Sequence, residues 1–331
     1  MLVSVTRLWN EDDIIEAFVR HHARQVDHFV FLDNVSTDRT LDILAALAAE
    51  GVRITVFEAR SVSFDEAQTN TWLYDHAAGA LGADWVLFLD ADEFVDPTPL
   101  PDAARAAPRW LAATLAALPN DCVAADLQMF SYIDSDEDDA AEPCVPRRLR
   151  WRRRPADLSK VFVRGRLVGP VTVEPGNHAA NLRGERLPMT RIAPMLAHYG
   201  RRSGWHDLSK SATGWLKVLA AERTQERQAR NGHYRAPFEH LRDHAGWIVH
   251  EPSYRHLPVD RATMTEQPLP YDGGSLCHTR IEDPAMRALM LAVRYTEALA
   301  RQHGRLIDES TEARALVGLW NAERRLLMRP G

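Results

Sequence analysis

The residues best equipped for chemistry stand together at Asp90, Asp92 and Glu93, in the stretch W-V-L-F-L-D-A-D-E-F from Trp85 to Phe94. The apolar run Trp85, Val86, Leu87, Phe88 and Leu89 follows the Gly82-Ala83 breaker and is too short and too continuous for a helix. It predicts a buried central strand. In an open α/β sheet the ligand crevice lies beyond the carboxyl ends of the strands, where these three carboxylates emerge. Period-two geometry puts Asp90 and Asp92 on the same side. Two carboxylates side by side repel, and burying them unpaired is costly or raises their pKa values. A hard divalent cation, Mg²⁺ or Mn²⁺, with a phosphate completing its shell, relieves both problems. The plain alternative is an acidic surface turn after an ordinary strand, and the buried strand before the motif argues against it.

The elements that must position these groups follow from the preceding chain. Leu2 to Leu8 reads as a strand, with Asn10 as the N-cap of a helix carrying Glu11, Asp12 and Asp13 in its first turn and Ile14, Ile15, Phe18 and Val19 on one face. His28 to Asp33 repeats the pattern and also ends on a carboxylate. The turn-rich N-V-S-T-D-R-T then lets Ser36, Thr37 or Asp38 cap a helix from Thr40 to Glu50, closed by Gly51 at its C′ position. Val52 to Glu58 predicts a third strand, and Asp65 to Ala80 a helix that leads into the Trp85 strand. Strands alternating with helices of this size predict an α/β fold with a parallel sheet and right-handed crossovers.

After Phe94 the order loosens at Pro97, Pro99 and Pro101. Arg109 to Leu118 predicts a helix and Val123 to Ile133 a longer strand. Asp134 to Glu142 reads as an acidic loop. Arg147 to Arg154 (R-R-L-R-W-R-R-R) is strongly basic, either an ion-paired face or a site for phosphates or an anionic acceptor, since guanidinium forks suit such groups. Leu158 to Val173 suggests a hairpin, Arg191 to His198 a strand. Helices are expected at Gly204 to Gln228, Pro284 to Gln302 and Glu309 to Leu327, with an irregular, proline-rich Pro252 to Gly274 between them.

Composition narrows the function classes. With 331 residues, 45% of them hydrophobic, the chain can bury a sizeable core. A net charge of −6 gives no global pull toward nucleic acid, so no nucleic-acid partner is expected. Cys122, Cys144 and Cys277 are too few and too irregularly spaced for a disulfide framework or a zinc site. They favour a reducing compartment. No basic n-region with an apolar h-region follows Met1, and no apolar run of about eighteen residues occurs. A cytoplasmic protein is expected, with peripheral contact at the inner face of a membrane left open.

These landmarks together resemble the family 2 glycosyltransferases of the GT-A fold, a bacterial subgroup in particular. The resemblance is carried by V-S-V-T-R-L-W-N-E (Val3 to Glu11), L-D-N-V-S-T-D-R-T (Leu32 to Thr40), A-Q-T-N (Ala67 to Asn70) and F-L-D-A-D-E-F (Phe88 to Phe94), in the family's order. K-V-F-V-R (Lys160 to Arg164), G-N-H (Gly176 to His178) and H-Y-G-R-R-S (His198 to Ser203) match more weakly. The resemblance implies a GT-A, Rossmann-like α/β fold: a mixed, mainly parallel sheet flanked by helices, with a helical C-terminal extension. Residues 1–203 are then the nucleotide-sugar-binding and catalytic domain, and 204–331 a mainly helical region for acceptor binding or assembly. It implies a metal-dependent, inverting transfer of a sugar from a UDP- or GDP-type donor to a carbohydrate, lipid-linked or other glycoconjugate acceptor in bacterial polysaccharide or glycoconjugate synthesis.

Site roles follow residue by residue from the same resemblance. Arg7, Asn10, Glu11 and Asp33 frame the base and ribose, with Ser36 and Asp38 supporting that loop and Asn70 near the donor. Asp90 and Asp92 are the D-x-D that holds Mn²⁺ or Mg²⁺ on the donor diphosphate, and His178 or His198 adds a further metal contact. Arg201, Arg202 and Lys210, with Lys160 a further candidate, meet the diphosphate. An ionised Asp33 offers acceptors only, which suits uracil and ribose hydroxyls. Inversion also needs a general base after the D-x-D, and no clear E-D pair stands there. Glu174, Asp134 and Asp136 are the candidates, ahead of the His206-Asp207 pair. Trp205, Trp215 and Trp247 are sugar contacts or, more simply, core.

Three other classes share parts of the pattern. A haloacid-dehalogenase-type phosphatase also ends a strand in D-x-D, but it wants the motif near the chain start and Thr or Val two residues after the second Asp. A nucleotidyltransferase wants a glycine-rich basic loop after its first strand, and Leu8-Trp9-Asn10-Glu11 is not one. A degenerate carbohydrate-binding or scaffold module of the same fold is opposed by the intact Asp33, Asp90 and Asp92.

Overall fold

The computed structural model describes residues 1–59, 66–156, 158–167, 169–221, 232–250, 256–280 and 283–322. The first half alternates as expected: β1 (Leu2–Leu8), α1 (Ile15–His22), β2 (His28–Asp33), α2 (Thr40–Ala49), β3 (Ile54–Glu58), α3 (Glu66–Asp75) and β4 (Trp85–Phe88). β5 (Glu93–Asp96), α4 (Asp102–Arg105), α5 (Trp110–Ala116), β6 (Ala124–Ile133), α6 (Val145–Arg148), β7 (Trp151–Arg153), β8 (Ser159–Arg164) and β9 (Val171–Val173) follow. Then come β10 (Ala180–Leu182), β11 (Glu185–Arg186), β12 (Met189–His198), α7 (Gly204–Ala221), α8 (Arg235–His250), β13 (Met264–Glu266), α9 (Pro284–Glu309) and α10 (Thr311–Ala322).

Ten strands form one mixed sheet in the order β13-β7-β6-β8-β4-β1-β2-β3, with β12 beside β6 and β5 on β12. β1, β2, β3 and β4 run parallel, as the helical crossovers require, and β12 runs parallel to β6. Helices flank this mixed sheet and a mainly helical region follows at the C-terminal end, in line with the fold that the resemblance implies. The sheet is buried on both faces: Leu87 packs with Phe18, Phe29 and Phe31 on one side, while Val86 and Phe88 pack with Val3, Val5 and Val30 on the other. Such two-sided burial explains why β4 reads as a continuous apolar run rather than as an alternation.

Several local expectations are corrected. Asn10 is not an N-cap. Its φ is 58°, and its Oδ1 accepts from Thr37 N at 2.7 Å and Asp38 N at 3.3 Å, tying the β1 loop to the β2 loop. The predicted hairpin over Leu158 to Val173 does not form, because β8 is paired antiparallel on both edges, by β4 and β6. β9 instead joins β10 and β11 in a separate three-stranded sheet. The helix α8 was not anticipated between Gly204–Gln228 and Pro284–Gln302, and Pro237 in its first turn was its available start signal. The predicted Gly204–Gln228 and Glu309–Leu327 helices extend past the described residues.

His22 pins α1 to β5. One ring nitrogen pairs with Phe18 O at 2.9 Å, and Nε2 accepts from Val95 N at 3.1 Å, so the ring sits buried and neutral. Burial, and then His21 beside it, hold its pKa well below the usual value of 6.5. Below pH 6.5 the unfolded chain therefore binds more protons than the folded one, and folding stability falls as pH drops. A single such group contributes up to about 1.4 kcal/mol per pH unit. Urea unfolding between pH 5 and 8 is expected to show a slope of that sign, and His22→Asn is expected to make it shallower, since burial also lowers His21 and His206.

Candidate active site at the strand ends

A cavity of about 400 Å³ opens where β1 and β4 end, walled by Arg7 to Glu11, Asp90 to Asp92 and His198, and closed by one face of α7. Lys210, Thr213, Gly214, Lys217 and Val218 point into it from that helix at the 3–4-residue spacing of a single helical stripe. Asp90 and Asp92 do not lie on a strand, since a turn at Ala91-Asp92 separates β4 from β5. Strand alternation is therefore not what brings both to the cavity. The turn is held by Glu93 N donating to Asp90 O and by Asp90 N donating to Glu93 Oε2, each at 3.0 Å.

The strand β12 brings the histidine. In the antiparallel β5–β12 ladder Glu93 and His198 are direct register partners, and Tyr199 N donates to Asp92 O at 2.8 Å. A ligand atom from each of Asp92, Glu93 and His198 lies within 4.8 Å of the others. Two carboxylate oxygens and one imidazole nitrogen this close together are a donor set of the kind that suits a divalent cation such as Mn²⁺; Asp92 and His198 line the cavity, and Glu93 is buried beside them. The structure thus brings His198 to Asp92, adds Glu93, and sets Asp90 against Lys160 at 2.6 Å and Arg7 at 3.3 Å. His178 stands apart from this cluster, with Nδ1 on Ser159 O at 2.8 Å.

Charge balance at the turn is dense. Lys160, 3% exposed, bridges Asp90 and Glu93. Burial pushes the Glu93 carboxyl up to about 8 in spite of Lys160. Burial also raises Asp92, but Lys210 at 3.2 Å, His198 and Arg202 outweigh it and hold that carboxyl far below the usual range. The whole sequence contains three lysines, Lys160, Lys210 and Lys217, against a large excess of arginine, and all three are at this site. A compact, strongly hydrated ammonium differs from a guanidinium fork in both contact geometry and tunable pKa, so this usage sets the site apart from the rest of the chain.

The far end of the cavity is aromatic. Lys217 Nζ lies 3.8 Å from the centre of the Trp9 ring and 3.3 Å from Asn34 Oδ1, and Tyr295 of α9 meets Trp9 edge-on at 5.3 Å. Asp33 is buried behind this end. Its Oδ2 accepts from Ser36 N at 2.9 Å, while its Oδ1 has no hydrogen-bond partner among the described residues. Ser36 Oγ in turn accepts from Asn10 N at 2.9 Å, and Asp38 Oδ1 accepts from Thr40 N at 2.9 Å. Asp38 and Ser36 thus brace the loop without lining the cavity.

The remaining expected residues distribute as follows. Arg7, Asn10, Glu11 and Lys210 line the cavity. Asn70 is buried beside it, donating to Glu174 O at 3.4 Å, and Glu174 itself contacts Asn181. Arg201 pairs with Asp134 at 2.6 Å and Asp207 at 3.0 Å, so it faces away from the D-x-D turn. Arg202 is buried between Glu11 at 2.8 Å and Asp13 at 2.9 Å. Asp136 is exposed and lines no cavity described here. Trp215 is core, Trp205 is half-buried, and the Trp247 side chain lies outside the described residues. Sequence reasoning placed Glu93 at the crevice without making it a metal ligand, and assigned no role to Trp9, Lys217 or Tyr295. The scarcity of lysine was the one signal that pointed to Lys217.

A strand-end cavity with convergent carboxylates on such a sheet is the arrangement that the resemblance implies. Residues 5–127 match the family model described as glycosyl transferase family 2, which bears out the resemblance over that segment. None of the curated proteins compared matches the chain. Among solved structures the chain is similar to S. aureus TarS 1–349 in complex with UDP, at 14% identity and a TM-score of 0.35, covering 75% of this chain and 74% of that one. It is also similar to glucosyl-3-phosphoglycerate synthase from Mycobacterium tuberculosis in complex with Mg²⁺ and UDP, at 21% identity and a TM-score of 0.26. That match covers 40% of this chain, which spans less than half of the synthase, 43%.

Burial brings the Lys217 ammonium down to about 7, while Lys160 and Lys210 are raised above their usual value by carboxylates that outweigh burial. Limiting acetic anhydride at pH 8, read by mass spectrometry, is therefore expected to acetylate Lys217 ahead of the other two. The rate should fall as pH drops through about 7.

Proposed function

We propose that this chain transfers a sugar from a UDP- or GDP-type sugar nucleotide to an acceptor hydroxyl, with Mn²⁺ or Mg²⁺ held by Asp92, Glu93 and His198. The observation that carries the reading is that ligand atoms of Asp92, Glu93 and His198 lie within 4.8 Å of one another, with Asp92, His198 and Lys210 lining the 400 Å³ cavity at the strand ends and Glu93 buried behind them. When bound, such an ion supplies positive charge against the departing nucleoside diphosphate. Lys210 adds a fixed ammonium on the same side, and Lys160 keeps Asp90 ionised and oriented beneath it. At the other end, the unsatisfied Asp33 Oδ1 suits a ribose hydroxyl or a base N–H, and the Trp9 ring suits a base face.

The base for the acceptor narrows within this reading to Asp134. Of Glu174, Asp134 and Asp136, Asp134 alone lines one of the two large cavities among the described residues, and Arg201 holds it in position. An acceptor hydroxyl that gives its proton to Asp134 and bonds to the anomeric carbon on the face opposite the departing nucleoside diphosphate would give an inverting transfer. The same reading takes residues 1–203 as the donor-binding and catalytic part and 204–331 as a part that completes the site, since α7 forms a wall of the cavity. It also takes the acceptor as a carbohydrate or lipid-linked glycoconjugate of bacterial polysaccharide synthesis. A cytoplasmic setting fits the free cysteines Cys122, Cys144 and Cys277. No described helix is long and apolar enough to cross a membrane.

Thermal-shift titration with UDP, GDP and their sugars, each with and without Mn²⁺, tests the donor site. A ligand bound only by the folded chain raises stability by about 2.7 kcal/mol at a hundredfold excess over Kd. Stabilisation should require metal and vanish in Asp92→Ala, and that variant should lose more than about 100-fold in transfer. Stabilisation by none of them would favour a carbohydrate-binding module without transfer.

A further inference from the structure

A second cavity, of about 200 Å³, lies behind the first. His206, Ser209 and Arg287 line both, so the two are separated by little more than one layer of side chains. Arg148, Arg202 and Arg280 face the smaller one from one set of elements, Asp134 and Asp138 from another.

The polar groups of this cavity are incompletely matched. Arg202 is 2% exposed; two of its guanidinium nitrogens engage Glu11 and Asp13, while Nη1 is buried without a hydrogen-bond partner among the described residues. Arg148 comes from the basic run Arg147–Arg154. Its guanidinium donates only to backbone carbonyls, of Glu142 and Arg202, each at 3.3 Å, and meets no carboxylate among the described residues. The other arginines of that run with described contacts are committed elsewhere: Arg147 to Gly274 O and the Tyr271 face, Arg150 to Glu266, Arg152 to Gln267 and the Phe130 face, and Arg154 to Met264 O. Arg280 is exposed at the rim, with no ion pair among the described residues. In the same lining, Asp134 Oδ2 and Asp138 Oδ1 are buried acceptors without hydrogen bonds among the described residues, although His256 Nδ1 stands 3.6 Å from Asp134.

Unsatisfied donors and unsatisfied acceptors in the lining of one cavity select a ligand that has both complements. Guanidinium groups pair with carboxylate or phosphate, and carboxylates accept from hydroxyls. A neutral sugar leaves the arginines unmatched, and a bare anion leaves the aspartates unmatched. We propose that this cavity binds the acceptor, and that the acceptor is a hydroxylated, ring-sized molecule bearing a carboxylate or phosphate. Its anionic group sits on Arg148, Arg202 and Arg280, and its hydroxyls sit on Asp134 and Asp138. The inference rests on the glycosyltransferase reading for the word acceptor, but the chemistry of the ligand does not depend on it.

Calorimetry on the full chain with glucose 6-phosphate, glucuronate, glucose and inorganic phosphate tests the assignment. At least one of the two hydroxylated anions should bind about tenfold or more tightly than both glucose and phosphate, the factor expected of one charge-assisted contact pair. Preference between those two names the anionic group. Arg148→Gln should weaken that binding about tenfold. Arg280→Gln, at an exposed position where folding is not at stake, should weaken it by a smaller factor. Binding of UDP with Mn²⁺ should be unchanged in both variants and should not be displaced by the anion. Equal binding of glucose, equal binding of phosphate as an adventitious anion, unaffected variants, or displacement by UDP would each overturn the proposal. Loss of UDP binding with retained anion binding would instead overturn the donor reading and leave this cavity standing as a site for hydroxylated anions.

Discussion

The structure depends on keeping Asp90, Asp92 and Glu93 charged or hydrogen-bonded inside a turn that is largely out of water. Uncompensated, three neighbouring carboxylates in such a place repel each other and lose hydration together. The chain meets this with cations drawn from distant segments: Arg7 from the end of β1, Lys160 from β8 and Lys210 from α7. Each is a long-range tie, so the acidic turn is also a fastening point for the sheet and for the C-terminal helices. A site strained by like charges and held by fixed cations is suited to receive a ligand that brings its own charges.

The C-terminal helices help to wall both cavities. α7 lines the larger cavity and also supplies His206 and Ser209 to the wall shared with the smaller one. From α9, Arg287 reaches Asp12 at 2.6 Å and Asp13 and Asp38 at 3.4 Å, and Tyr295 packs on Trp9. The loops after β1 and β2 are therefore clamped from above by the last third of the chain. Arg202, buried between Glu11 and Asp13, joins the two cavities electrostatically as well as sterically, because Glu11 lines one and Asp13 the other.

The first hundred residues were legible because their signals are local. Continuous apolar runs, a helix stop at Gly51 and carboxylates at strand ends follow from side-chain size, backbone freedom and burial within a few positions, and β1 and β2 fall on the expected residues. The hairpin expected after Leu158 failed for the opposite reason. Which edge of β8 is free depends on β4 and β6, and no property of residues 158–173 encodes that. The basic run at Arg147–Arg154 was visible, but only packing divides its arginines between the aromatic faces, backbone carbonyls and the smaller cavity.

By itself the sequence determined that carboxylates stand at the end of the second strand, Asp33, and in the turn just after the fourth, Asp90 and Asp92, and which residue types were available to assist. Tertiary structure alone decided the partners. Glu93 and His198 face each other through the β5–β12 register across more than a hundred residues of chain, and Lys217 reaches Trp9 from a helix outside the matched segment. Local sequence specifies propensity and spacing, which act over a turn or a strand. Metal-ligand geometry and ion pairing act at contact distance, and contact between remote segments exists only once the sheet order is set.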